Sequence, residues 1–107
     1  MDRLKKLLEY HDEDPDDSFI RFALATEYLK LGNEEKARIA FEDLVSHDPE
    51  YVGTYYHLGK LYERLDQNER AIQVFTRGIN VARVQSDMHA RAELQSALLE
   101  AEGIGYE

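Results

Sequence analysis

The sequence predicts an all-α repeat protein, and three observations carry that prediction. Displacing the chain on itself by 34 residues superimposes Leu24 on Leu58, Ala25 on Gly59, Tyr28 on Tyr62, Leu31 on Leu65, Ala37 on Ala71 and Phe41 on Phe75, and Pro15 on Pro49. Within each displaced segment the apolar residues recur at the three- and four-residue spacing of one helix face. A turn signal, Gly32 followed by Asn33, with Asp66 in the corresponding place, then divides each segment into two helices. One such match could arise in any amphipathic hairpin. Six in one register do not.

The elements follow in order. Residues 2–10 carry Leu4, Leu7 and Leu8 at helical spacing with Arg3, Lys5 and Lys6 pointing elsewhere, a helix too short to be stable alone. Leu7 stands where Phe41 and Phe75 stand, so this helix is expected to cover the outer face of the first unit. Residues 11–17, HDEDPDD, form a turn: Pro15 bars Asp14 from the α region, and Asp16 and Asp17 suit the N-terminus of the next helix. A cation site from His11, Asp12, Glu13, Asp14 and Asp16 would lack the Gly and distal Glu of a calcium loop, so the solvated acidic turn is the favoured reading.

Residues 19–31 form a helix that turns Ile20, Leu24, Ala25, Tyr28 and Leu31 inward, Gly32 supplies a left-handed C-cap, and Asn33 caps the helix of residues 34–46. That helix buries Ala37, Ala40, Phe41, Leu44 and Val45. Ala25 and Ala37 are small where the two helices approach, and His47 lies at a helix C-terminus, where a protonated imidazole suits the dipole. In the second unit, residues 52–65 place Leu58, Leu61, Tyr62 and Leu65 inside. The helix that starts at Glu69 buries Ala71, Ile72, Val74, Phe75, Ile79 and Ala82. Arg83 replaces the closing Pro here, so this helix is expected to continue through Val84. Ser86 or Asp87 then caps a last helix over residues 88–102 with Ala90, Leu94, Ala97, Leu98 and Ala101 in one stripe. Residues 103–107 are expected to be a frayed tail.

The 34-residue period, with a small residue after Leu, a Tyr three further on, then Ala, Phe and Pro, resembles the tetratricopeptide repeat family. The resemblance covers residues 18–51 and 52–85. It departs at the fourth position, where Arg21 and Tyr55 stand, and at Arg83. It implies one domain folded as a right-handed α-α superhelix of two full units, flanked by the N-terminal helix and turn of residues 1–17 and by a capping helix over residues 86–102. Glu93 and Ser96 occupy the places of the small residue and the Tyr, as befits a cap and not a third unit.

Composition narrows the function classes. A chain of 107 residues suits one small domain, and the absence of cysteine excludes disulfides and thiolate metal sites. No stretch approaches a membrane span or shows a cleavable leader, which points to a cytoplasmic protein. The net charge of −9 disfavours nucleic acid and anionic lipid as partners. The sequence shows no glycine-rich phosphate loop, no paired metal-binding histidines and no nucleophile beside a base, so neither an enzyme nor a cofactor is expected.

Proteins of this family bind peptides along the first helices of their units, and the resemblance implies a protein-interaction adaptor. Helical geometry opposite the hairpin core gives the stripe: Phe19, Ala23, Thr26 and Lys30, flanked by Phe22 and Leu29, on the first such helix, Gly53, His57, Lys60 and Arg64, flanked by Tyr56 and Glu63, on the second, and Arg91 and Leu94 on the last. The groove residues expected to meet a partner are Phe22, Thr26, Leu29, Lys30, Tyr56, His57, Lys60, Arg64 and Arg91. The expected partner is an acidic protein or peptide segment with an apolar anchor, bound more tightly as the pH falls toward about 6 and His57 gains a proton. Phe22 and Thr26 stand where carboxylate-clamping relatives carry Lys and Asn, so a clamp of that kind is not implied. Set against the groove, Lys60 and Arg64 also fit a merely solvated helix face. The alternative function is a self-associating structural module that forms a homo-oligomer, or a subunit of a larger assembly, so monomer and weak homo-oligomer both remain open.

Overall fold

Short polar side chains set most of the helix starts. In the computed structural model, which describes residues 2–103, α1 (Arg3–Glu13) begins where Asp2 accepts the Leu4 N–H at 3.0 Å. Asp17 does the same for Ile20 at 3.2 Å at the head of α2 (Ser18–Lys30), and Asn33 for Lys36 at 3.1 Å at the head of α3 (Glu34–His47). α4 (Gly53–Arg64) and α5 (Asn68–Val84) start without a side-chain cap. At α6 (Met88–Glu102), Asp87 accepts from Ala90 at 3.0 Å. Among the described residues these six helices are the only regular structure, and the fold is all-α.

The turns show the backbone requirement behind their residues. Gly32 has φ +80°, and Asp66, its counterpart, holds the same left-handed region at φ +60°. Ser86 also lies there, at φ +58°, leaving Asp87 as the cap of α6. α5 runs to Val84, three residues longer than α3, because Arg83 stands where Pro49 follows α3.

Two expectations are corrected. The first helix does not stop at residue 10 but continues to Glu13: nothing in His11, Asp12 or Glu13 opposes a helix, and only Asp14, restricted by Pro15, closes it by donating its N–H to the Tyr10 carbonyl at 3.0 Å. The acidic turn shortens to residues 14–17 accordingly. Leu31, expected inside, is the C-cap of α2 and is exposed, since the chain leaves the helical path before its side chain can turn inward. Of the expected tail, residues 104–107 lie outside the described residues.

The chain forms two compact units that divide between Tyr51 and Val52. In the first, α2 and α3 make a hairpin whose core is Ala25, Ala37, Phe41 and Leu44, all fully buried. α1 closes the other side of α2 by placing Leu4 and Leu7 on Ala23 and Leu24, and Arg3 reaches the buried Glu27 at 3.2 Å. The Ser18 hydroxyl donates to Asp48 at 2.6 Å, tying the start of α2 to the end of α3, and His47 lies 3.5 Å from Asp16.

The second unit solves the same packing problem with different volumes. Gly59, in the place of Ala25, lies so close to the Phe75 ring that a Cβ would overlap it. Gly78 replaces Leu44, and the space so freed is taken by Tyr55, which replaces the partly exposed Arg21. The pairs Arg21–Leu44 and Tyr55–Gly78 thus exchange bulk between helices. Arg77 and Arg70 then sit over the Tyr55 and Tyr62 rings at 5.8 and 6.0 Å. α6 adds Leu94 and Ala97 to this core, packing on both α5 and α4.

The second unit also buries a hydroxyl with no hydrogen-bond partner. The Thr54 hydroxyl, fully buried, makes no hydrogen bond. Thr54→Val keeps the shape and removes that group, so it is expected to stabilise the chain by about 1 kcal/mol. Thermal denaturation checks this, and a lower melting temperature would mean that the hydroxyl is satisfied.

Candidate functional site

Because α4 buries one side against α5, its remaining residues are fixed in place by a packed core. Tyr55, Leu58, Gly59, Leu61 and Tyr62 are buried, whereas Tyr56, His57 and Lys60 are half-buried on the side left over and Arg64 is exposed. The Tyr56 and His57 rings meet edge to face with centroids 5.7 Å apart. α6 supplies acidic groups to the same side.

Lys60 is held between two carboxylates, Glu63 at 3.4 Å on its own helix and Glu100 of α6 at 3.6 Å. Burial works to lower its pKa, but Glu63, Tyr56 and Glu100 together raise it, so the ammonium stays charged. The pairing is partly exposed, so its net worth is small. A ligand carboxylate would therefore exchange with Glu100 and would not meet a bare cation. His57 behaves differently. Burial lowers its pKa below 6.5, with Glu93 of α6 opposing in part, so the imidazole is neutral at neutral pH and charges only under more acidic conditions than a free one. The pH window near 6 expected for tighter binding of an acidic ligand moves downward for this reason.

Arg91 projects from the first turn of α6 into a cavity of about 220 Å³ that Ala82, Arg83, Ser86, Asp87 and Met88 also line. The structure thus places Tyr56, His57, Lys60 and Arg64 on one helix, whereas Arg91 lies at the α5–α6 turn in a cavity that no α4 residue lines. Sequence reasoning put Glu63 beside the stripe, three residues after Lys60, but omitted Glu93, which acts on His57, and Glu100, which reaches Lys60. Both needed the packing of α6 on α4.

On the first unit, the expected residues are divided among roles. Phe22 packs its ring on Phe41 and Tyr51, with centroids 6.2 and 5.5 Å away, so much of it belongs to the core. The Thr26 hydroxyl donates to the Ala23 carbonyl at 3.0 Å, Leu29 is half-buried, and Lys30 is exposed in the last turn of α2. Ala23, reckoned on the open stripe, is covered by α1. A smaller cavity of about 100 Å³ is lined by His11, Arg21, Leu24, Tyr28, Ala40 and Asp43, where His11 Nδ1 is buried without a partner.

Among the described residues no group of His, Asp and Glu is arranged to hold a metal ion, and no helix is long and apolar enough to cross a membrane. In the acidic turn, Asp17 is committed to the α2 cap and Asp16 faces His47.

The comparisons with known proteins agree with this architecture. The family model described as tetratricopeptide repeat matches residues 20–51 and again residues 52–84. The crystal structure of a tetratricopeptide repeat domain protein from Salinibacter ruber is 55% identical with a TM-score of 0.80, covering 82% of this chain and 99% of that one. PcrH, solved in complex with the chaperone binding region of PopD, superimposes with a TM-score of 0.86 at 16% identity, over 95% of this chain and 77% of that one, a likeness of fold. A curated TPR repeat-containing protein of Pseudomonas aeruginosa is 29% identical over 79 residues, 74% of this chain and 75% of that protein.

Proposed function

Because the chain belongs to the tetratricopeptide repeat family, we propose that it is a non-catalytic protein-interaction module that binds a segment of a partner protein on the α4–α6 side of its second unit. The observation that carries this reading is the set of half-buried groups there. Tyr56, His57 and Lys60 are ordered by the core beneath them yet do not belong to it. A partner segment therefore meets aromatic surface at a low entropic cost. PcrH, of like fold, is solved with a segment of another protein, which supports the class of ligand.

The charge pattern supports an acidic segment with an apolar anchor. Lys60 and Arg64 offer cations on α4 and Arg91 one at the α5–α6 turn, while Glu63 and Glu100 beside Lys60 and Glu93 near His57 disfavour ligands whose carboxylates are not aligned. Tyr56 and His57 receive the anchor. Phe22, Thr26, Leu29 and Lys30 of α2 are proposed as a second, weaker set of contacts on the first unit.

A peptide array tests the reading. Short acidic peptides with one aromatic or aliphatic residue are expected to be retained over neutral or basic ones. The double variant Lys60→Glu, Arg64→Glu should lose at least about tenfold in affinity with unchanged helicity, and Tyr56→Ala should cost about 1 to 2 kcal/mol of binding. Equal retention by the double variant, or preference for basic peptides, would overturn it.

A further inference from the structure

α1 and α6 occupy complementary halves of a repeat. In each full unit a first helix is closed by a second: α2 by α3, and α4 by α5. Counted in steps of 34 residues, α6 stands in the place of a first helix, with Glu93 at the position of Gly59 and Ser96 at that of Tyr62. α1 stands in the place of a second helix, with Leu7 at the position of Phe75 and Tyr10 at that of Gly78. Among the described residues nothing closes the side of α6 that carries His89, Ala92, Glu93, Ser96 and Leu99, all exposed. Nor, apart from the ion pair of Arg3 with Glu27, does anything close the side of α1 that carries Arg3, Lys6, Glu9 and Tyr10, also exposed.

We propose that α6 of one copy of this chain packs against α1 of a second copy as the missing hairpin. The contacts inside the second unit give the alignment, since Tyr55 meets Gly78 and Arg77, and Gly59 meets Phe75. Transferred by one period, these pairs bring His89 to Tyr10 and Glu9 of the other copy, and Glu93 to Leu7 and its neighbour Lys6. Farther along, the contact of Arg70 with the Tyr62 ring brings Ser96 to Asp2 in the same way. His89 and then Glu93 of α6, an imidazole followed by a carboxylate, thus meet Glu9 and then Lys6 of α1, a carboxylate followed by a cation, read in the opposite direction as antiparallel helices require. Tyr10 and Leu99, each about half exposed at 48% and 46%, provide the apolar part of the contact.

The same alignment sets the strength. Glu93 and Arg3 replace the small residues that let a hairpin close tightly, so the contact is looser than α4 on α5 and depends on charge. It is a heterologous contact, in which each copy offers α6 to one neighbour and α1 to another. Self-association is therefore weak, rises with concentration without stopping at two chains, and is suppressed by salt.

Sedimentation equilibrium of the 107-residue chain from micromolar to millimolar concentration tests this. The average mass is expected to rise at low salt and to fall back to one chain at about 1 M salt, where the screening length is about 3 Å. Lys6→Glu alone and Glu93→Lys alone should each weaken association by at least about tenfold. The double variant, which exchanges the two charges, should restore it. Circular dichroism of all three variants checks that helicity is retained. A wild-type chain that stays at one-chain mass throughout would overturn the proposal, and so would a double variant no better than the single ones.

Discussion

Gly78→Ala is expected to destabilise the protein by about 2 to 3 kcal/mol, although alanine is the better helix former by about 1 kcal/mol. A Cβ at Gly78 would stand 2.5 Å from the Tyr55 Cβ, 3.0 Å from its Cγ and 3.1 Å from Leu94 Cδ1. The Tyr55 Cβ is fixed to the α4 backbone, so no rotamer change relieves the overlap. α5 must move away from α4, which loosens the contacts that bury Tyr55. Chemical denaturation followed by circular dichroism measures the effect. A neutral or stabilising substitution would mean that α4 and α5 are farther apart than described. Gly32→Ala provides a contrast, because no atom lies within 4 Å of a Cβ there and only the positive φ opposes it, at about 1 kcal/mol.

Leu94→Ala is expected to cost about 3 kcal/mol, within the range found for fully buried leucines. Leu94 is 1% exposed and joins α6 to the Gly78 side of α5, so its loss leaves a cavity that the neighbouring helices cannot readily fill. Leu99→Ala, on the open side of the same helix, should be nearly neutral for folding. If both substitutions were neutral, α6 would be a detachable arm, and Glu100 would no longer be held beside Lys60.

How far the sequence reached is seen by comparing particular residues. The six paired positions at the 34-residue spacing report packing against the opposite helix of a hairpin, a local property, and they located α2 to α5. Pro49 and Arg83 were sufficient to place the ends of α3 and α5, because proline acts on the backbone directly. Gly78 was passed over, since a glycine within a helical pattern signals weakness unless one knows that Tyr55 is aimed at it. The charges at the candidate site were half legible for a similar reason. Lys60 and Arg64 follow from the helical period, but Glu100, which reaches Lys60, and Glu93, which acts on His57, lie on α6, and only the packing of α6 on α4 brings them near. For His57 the period gives its face, whereas its lowered pKa comes from burial that no spacing reveals.

His57 also carries a stability consequence with a definite sign. Its pKa in the folded chain lies below the ordinary 6.5, so the unfolded chain binds the proton more readily. The stabilisation due to neutral His57 is thus present above pH 6.5 and is lost as the pH falls below it.

The claim that the α4–α6 side binds a partner segment is tested most directly by nuclear magnetic resonance. Amide shifts of the isotopically labelled chain would be followed during titration with an acidic peptide that carries one aromatic anchor. Shifts concentrated at Tyr56, His57, Lys60, Arg64 and Arg91, with the helices otherwise unchanged, are the predicted result. Shifts concentrated instead on the outer faces of α3 and α5, around Arg38, Gln73 and Arg77, would contradict it.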